Sequence, residues 1–395
     1  MLKHLLAFAL SVASVCSTTF AAERFTGPWN MAELTPVPKA EFGSESAGVQ
    51  EVYYENVPLK GKPTRVFAYF AKPAEGEGPW PAMLCVHGGG GKAFSEWARL
   101  WAKRGYVALA MDLAGKGPDG KPHADAGPDQ DDNGKFGEFT PGTVRDMWSY
   151  HAVAAVVRGH SLLASLPEVN KDQIGVTGIS WGGYLTCILA GIDERLKVAV
   201  PVYGCGFLGD NSAWLGRFVK MVPEQKSLWL EQFDPSKYLP GATCPMLWVN
   251  GTNDFAYPLD SYQKSYNLPQ GPVTLCIRVK MPHGHAPGWL PEEIGTFVDN
   301  VLLKKPGLPK IGTMTVVEGT ASAKIGGPAA VSKGELCYAV DRGTWQSREW
   351  KTVPAIVTRD TIQAKVPHAR PLVLYLNITD SRGLLVSSPH VTLLK

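Results

Sequence analysis

With 395 residues, 45% hydrophobic and 19% charged, the chain can bury a sizeable core, which excludes a disordered or fibrous class. A net charge of +3 is small for this length. There is no basic stripe for nucleic acid and no acidic tail.

Residues 1–22 read as an export signal. Lys3 and His4 precede the apolar run "LLAFALSVASV", and Thr19, Ala21 and Ala22 suit a signal peptidase. That run is too short for a membrane-spanning helix, so no integral span is expected. Val15 before Cys16 is a poor match to a lipid-anchor site. A secreted or periplasmic mature chain is expected to begin near Ala22 or Glu23.

Residues 23–50 show little periodicity and read as an irregular arm. "VQEVYYENVP" and "TRVFAYFAKP" alternate like two strands joined by the turn "LKGKP". The pattern then changes to short, continuously apolar runs, as buried parallel strands have. These are "PAMLCVHG", "YVALAMD", "QIGVTGIS", "KVAVPVYG", "PMLWVNG" and "TLCIRVKMP". Helical stretches lie between them, among them "AFSEWARLWAKRG", with Phe94, Trp97 and Trp101 on one face, and the closing "PEEIGTFVDNVLLKK". Strands alternating with helices imply an α/β domain over residues 51–305, with a mostly parallel sheet covered on both faces. Beyond the linker "PGLPKIGT", residues 311–395 carry short alternating runs and turn residues, which predicts a small all-β sandwich-like domain. Its segment "DRGTWQSREW" admits carbohydrate contact, and packing or spacing is the plainer expectation.

Beyond Cys16 there are six cysteines, four in or beside apolar runs, and none forms a CxxC or zinc-spaced cluster. A domain of this size does not need disulfides, and one bridge stays open.

"GISWGG" places Gly178, Ser180 and Gly182 in a G-x-S-x-G pattern between a strand and a helix. A serine on such a turn is forced outward, while the glycines permit tight approach. Upstream, "CVHGGGG" ends another strand, and a glycine-rich turn can aim N–H groups at an oxyanion. One donor is assigned to Gly89, with Gly90 as the near alternative, and the other to the N–H of Trp181. A serine needs a base, and the base needs a carboxylate to fix its tautomer. Asp254 in "GTND" lies just past a buried strand, where parallel sheets place their sites. Its competitor, Asp260, falls in the following helix. "MPHGH" then offers His283 and His285.

The order serine, aspartate, histidine is that of α/β-hydrolases. On "HGGGG", "GISWGGY", "GTND" and "MPHGH", residues of roughly 50–305 resemble that superfamily, most of all its secreted acetyl xylan esterase and prolyl-oligopeptidase-like group. The resemblance implies esterase or peptidase chemistry without a cofactor or metal. It also implies that the base follows a glycine shortly after the last strand. If that strand runs to Pro282, His285 rides on the loop beyond it. The expected triad is therefore Ser180, Asp254 and His285, with His283 as a rim or loop-bracing residue. His87, whose position suits it to bonding loop backbone, joins His283 and Trp214 as residues expected beside the substrate. Trp181 stands where the cephalosporin deacetylase branch has glutamine, and Ala286 where it has an acid.

The long polar loop from Leu113 to Pro141 should overhang the site. Asp129, Asp131, Asn133 and Gly134 fit half of a calcium-loop pattern, but Thr140 replaces the bidentate glutamate, which favours a solvated turn. This loop and the excursion at residues 204–240, with Trp214 and Trp229, are expected to shape a cleft for a sugar ring, unless both tryptophans are core. The expected activity is deacylation of carbohydrate by a serine esterase. A small exopeptidase, or a binding protein on a hydrolase scaffold, is the alternative.

Overall fold

The computed structural model describes residues 24–394, so the expected export signal lies outside the described residues. Three antiparallel strands come first: β1 (Ala40–Ser46), β2 (Val49–Leu59) and β3 (Lys62–Ala71). Lys60 and Gly61 both have positive φ, as a two-residue hairpin loop requires. The residues read as an irregular arm thus contain an edge strand, β1. It was hidden because six of its seven residues are exposed and no apolar alternation marks it.

The next six strands are β4 (Trp80–Val86), β5 (Val107–Met111), β6 (Val169–Ile179), β7 (Val198–Val202), β8 (Met246–Gly251) and β9 (Val273–Arg278). They pair in parallel in the order β5-β4-β6-β7-β8-β9. Every residue of β5, β7 and β8 is buried, which explains their unbroken apolar runs. The Trp181–Ile192 helix is buried on all sides, and the Ser95–Lys103 helix buries Trp97, Ala98 and Trp101. The strand order reverses between β4 and β6, so the loops leaving these neighbours open a crevice at their carboxyl ends.

The C-terminal strands are more than an appendage on a linker. β10 (Lys310–Ile311), β11 (Thr315–Val317), β12 (Thr320–Gly326), β15 (Ile356–Val357) and β16 (Thr361–Lys365) form a separate small sheet. β13 (Val331–Val340), β14 (Lys351–Pro354), β17 (Leu372–Asp380), β18 (Leu385–Ser387) and β19 (Val391–Leu393) instead continue the main sheet. The junction is β18 against β9, where Ser387 faces Leu275. Ser387 Oγ accepts from the Ile277 N–H at 2.8 Å, and Asn377 Nδ2 donates to the Ile277 carbonyl at 3.1 Å. Glu293, buried in the closing helix, accepts from the Leu385 N–H and pairs with Arg278 at 2.6 Å. Among the described residues all six cysteines are buried and unbridged.

Candidate active site

Ser180 has φ 59° and ψ −117°, a conformation that non-glycine residues adopt only when their surroundings impose it. Its N–H donates to the Val202 carbonyl at 2.8 Å, and its own carbonyl accepts from the Tyr184 N–H at 2.9 Å. The flanking glycines are required by crowding. A Cβ on Gly182 would lie 1.9 Å from the Val86 carbonyl oxygen, and one on Gly178 would lie 2.1 Å from that of Gly182. The turn is therefore pressed against the end of β4, and Ser180 stays partly open to solvent.

The glycine-rich turn after β4 lies beside it. A Cβ on Gly88 would come within 2.8 Å of Ser180 Cβ and 3.3 Å of His285 Nε2. His87 fixes this turn from beneath. It is 1% exposed, its Nδ1 donates to the Gly88 carbonyl at 2.7 Å, and its Nε2 accepts from the Leu113 N–H at 2.7 Å. Burial pushes its imidazole down to about 4, so it is neutral at pH 7. Both nitrogens of His87 are committed to backbone, so no free ring nitrogen is left for the substrate contact expected of it. Gly89 is exposed, against the edge of the Trp181 ring. The Trp181 N–H opens its helix, where no intrahelical carbonyl is available.

Of the two histidines, the structure brings His283 to Asp254, and not the expected His285. Asp254, 2% exposed, accepts the Ala256 and Tyr257 N–H groups on Oδ1 at 2.9 and 2.7 Å. Its Oδ2 lies 2.6 Å from His283 Nδ1. A carboxylate only accepts, so Nδ1 carries a proton, and in the neutral imidazole Nε2 is then the acceptor. His285 makes no contact with Asp254. Its Nε2 accepts from the Gly88 N–H at 3.0 Å, and its ring rests on Phe94 at 4.7 Å. Burial, with His87 and His283 nearby, lowers its imidazole to about 4. The physical reason is the length of β9. It ends at Arg278 and not at Pro282, because Lys280 turns the chain with φ 54°. His283 is thus already on the loop, and His285 begins a short helix, His285–Trp289. Asp260, the other carboxylate considered, binds Asn211 Nδ2 and so anchors the excursion.

Two aromatic residues absent from the sequence reading frame His283. Tyr203 directly follows Val202, the partner of the Ser180 N–H, and its ring lies 4.6 Å from that of His283. Its φ of 54° aims it there. Phe255 covers the imidazole at 4.7 Å and is 60% exposed. A positive φ at a tyrosine leaves no trace in sequence, but an apolar residue directly after Asp254 could have marked Phe255.

Trp214 is half-buried, 4.5 Å from the Trp181 ring and 5.2 Å from Tyr257, beside the Ser180 turn. Trp229 is fully buried, and its Nε1 donates to the Lys135 carbonyl, so it belongs to the core and not to a cleft. The long loop packs Phe136 on Trp181 and holds Lys135 Nζ 5.1 Å over that ring. Asp131 caps the short Asp132–Phe136 helix through the Gly134 N–H. In the segment considered for carbohydrate contact, "DRGTWQSREW", Arg348 and Trp350 are buried, and the Gln346 and Arg348 carbonyls accept from Asn253 Nδ2.

The family model for acetyl xylan esterase (AXE1) matches residues 29–226, half of the chain. This span holds the glycine-rich turn and Ser180 but ends before Asp254 and His283. Acetyl esterase Axe7A of Xylanibacter ruminicola is 28% identical over 221 residues, 52% of this chain and 50% of that protein. The chain thus spans about half the length of this relative. The acetyl xylan esterase from Paenibacillus sp. R4 superposes with a TM-score of 0.57 at 22% identity, covering 69% of this chain and 92% of that one. Acetyl xylan esterase 1 from Thermoanaerobacterium sp. JW/SL YS485 gives 0.54 at 17% identity, covering 71% and 96%. These two likenesses bear on the fold, and the match to the family model on kinship: the chain belongs to the acetyl xylan esterase (AXE1) family and has the α/β-hydrolase fold.

Proposed function

We propose that the chain is an exported serine ester hydrolase that deacylates carbohydrate, with acetyl esters as its principal substrates. The observation that carries the reading is the 2.6 Å contact between Asp254 and His283, beside the strand end that also fixes Ser180. Membership of the acetyl xylan esterase family supports the substrate class.

Ser180 Oγ attacks the ester carbonyl carbon while His283 Nε2 takes its proton. Asp254 holds the imidazole in the tautomer that leaves Nε2 free and stabilises the imidazolium as it forms. The N–H groups of Gly89 and Trp181 receive the oxyanion. As the tetrahedral intermediate's bond to the sugar oxygen breaks, the imidazolium protonates that oxygen to give the free hydroxyl, and water, activated by the same histidine, then cleaves the acyl-enzyme to release acetate and restore Ser180. Trp214 and Phe255 offer apolar faces to the sugar. Among the described residues no helix is long and apolar enough to cross a membrane.

Turnover of p-nitrophenyl acetate and of acetylated xylo-oligosaccharides by the purified chain, abolished by Ser180→Ala, is the expected result. Full activity in Ser180→Ala rejects the mechanism. Cleavage of aminoacyl anilides without ester turnover selects an exopeptidase, and no fluorophosphonate labelling of Ser180 selects a binding protein. Export predicts that protein recovered outside the cytoplasm starts near Ala22 or Glu23.

A further inference from the structure

We infer that the C-terminal β unit is a working part of the active site, holding Asp254 and His283 in register through the side chain of Asn253. The inference rests on the reading of these two residues as the carboxylate and base of the site.

Asn253 directly precedes Asp254. Its Nδ2 donates to the Gln346 carbonyl at 3.0 Å and to the Arg348 carbonyl at 2.8 Å, so both amide hydrogens end on the C-terminal unit. Its Oδ1 accepts from Thr252 Oγ1 at 3.0 Å. Thr252 Oγ1 in turn accepts from the Lys280 N–H at 3.0 Å. Lys280 is the residue whose positive φ turns the chain from β9 toward His283. One chain of hydrogen bonds therefore joins the C-terminal unit, the loop carrying Asp254 and the loop carrying His283.

The receiving segment is itself fixed. The Arg348 guanidinium lies 3.5 Å over the Trp345 ring and pairs with Asp341. Trp345 rests on His390 at 5.1 Å, and the His390 carbonyl accepts from Gln263 Nε2 at 2.8 Å. Asn253 is thus a positioning residue: it acts on the reaction only through the placement of Asp254 and His283. Small errors in such placement are costly, about a hundredfold for an ångström.

Asn253→Asp keeps the shape but turns the donor into an acceptor facing two carbonyls. Thr252→Val breaks the link to Lys280 while sparing the clamp, and Thr252→Ser restores the hydroxyl. Each is measured on p-nitrophenyl acetate, with kcat normalised to fluorophosphonate-labelled sites. The expected result is a kcat between about tenfold and a hundredfold lower in Asn253→Asp and Thr252→Val, with KM changed less than about twofold. The acid limb of the pH–rate profile moves to lower pH, because a looser Asp254–His283 contact stabilises the imidazolium less. Thr252→Ser returns both toward wild type. A purely structural role lowers thermal stability and leaves kcat per labelled site and the acid limb unmoved in all variants, which overturns the inference. If Asn253→Asp does not fold, the Thr252 pair decides by the same criteria. Activity persisting in Ser180→Ala would instead reject the underlying mechanism, so the two failures are separable.

Discussion

Asp254 reaches His283 at 2.6 Å, while its other oxygen is tied to two backbone amides of its own loop. The carboxylate is therefore rigid, and it fixes one imidazole of the pair. Asp254→Asn keeps this shape but presents a donor to Nδ1 or reverses the tautomer. It should lower kcat about ten-thousandfold on a simple acetyl ester, with stability little changed.

The two histidines should separate in function. His283→Ala removes the proposed base and should cost about a thousandfold or more in kcat. His285→Ala frees the Gly88 N–H and loosens the turn that presents Gly89. A loss of about ten- to a hundredfold is expected there, as for a weakened oxyanion site. His285→Gln, which keeps an acceptor for that N–H, should recover part of it. Equal losses in both alanine variants would contradict this division.

Acid should destabilise the fold before it unfolds. His87, His151, His285 and His390 are each lowered to about 4, chiefly by burial. The unfolded chain binds protons at these sites near 6.5, so stability present above that pH is lost as pH falls toward 4. For buried His87 alone the difference is about 3 kcal/mol. Asp112, raised to about 6 by burial, and Asp234, also raised, act in the opposite sense but are fewer. Thermal melts at pH 7 and pH 5 should show the lower midpoint at pH 5.

Gly182→Ala puts a Cβ 1.9 Å from the Val86 carbonyl oxygen. Backbone must move there, so a loss of several kcal/mol or failure to fold is expected, together with loss of fluorophosphonate labelling. A folded, fully labelled variant would show that the turn is looser than this packing allows.

Phe255 is exposed and lies against His283, so Phe255→Ala should alter stability by less than about 0.5 kcal/mol. Its effect should fall on substrate: KM for acetylated oligosaccharide rises severalfold, while p-nitrophenyl acetate is less affected. The reverse pattern would assign Phe255 to bracing the imidazole.

Most of the architecture was legible because central parallel strands are unbroken apolar runs and the Ser180 turn carries its glycines in sequence. The parts missed share a cause: they depend on contacts between distant segments. β1 has no buried face to pattern it. The end of β9 is set by Lys280 and its bond to Thr252, so the partner of Asp254 could not be read from "MPHGH". Trp214 and Trp229 look alike in sequence, yet one borders the Ser180 turn and the other fills the core. Asn253 looks like any loop asparagine until residues 346 and 348 arrive beside it.

The pairing of β9 with β18 also bears on how the protein is made. β9 is synthesised about a hundred residues before β18, and until β18 docks it is an open edge next to a hydrophobic sheet. Such an edge invites pairing with other chains. The last strands therefore act as an internal guard against self-association, and a polypeptide cut after the closing helix would emerge with a sticky flank in place of a finished surface.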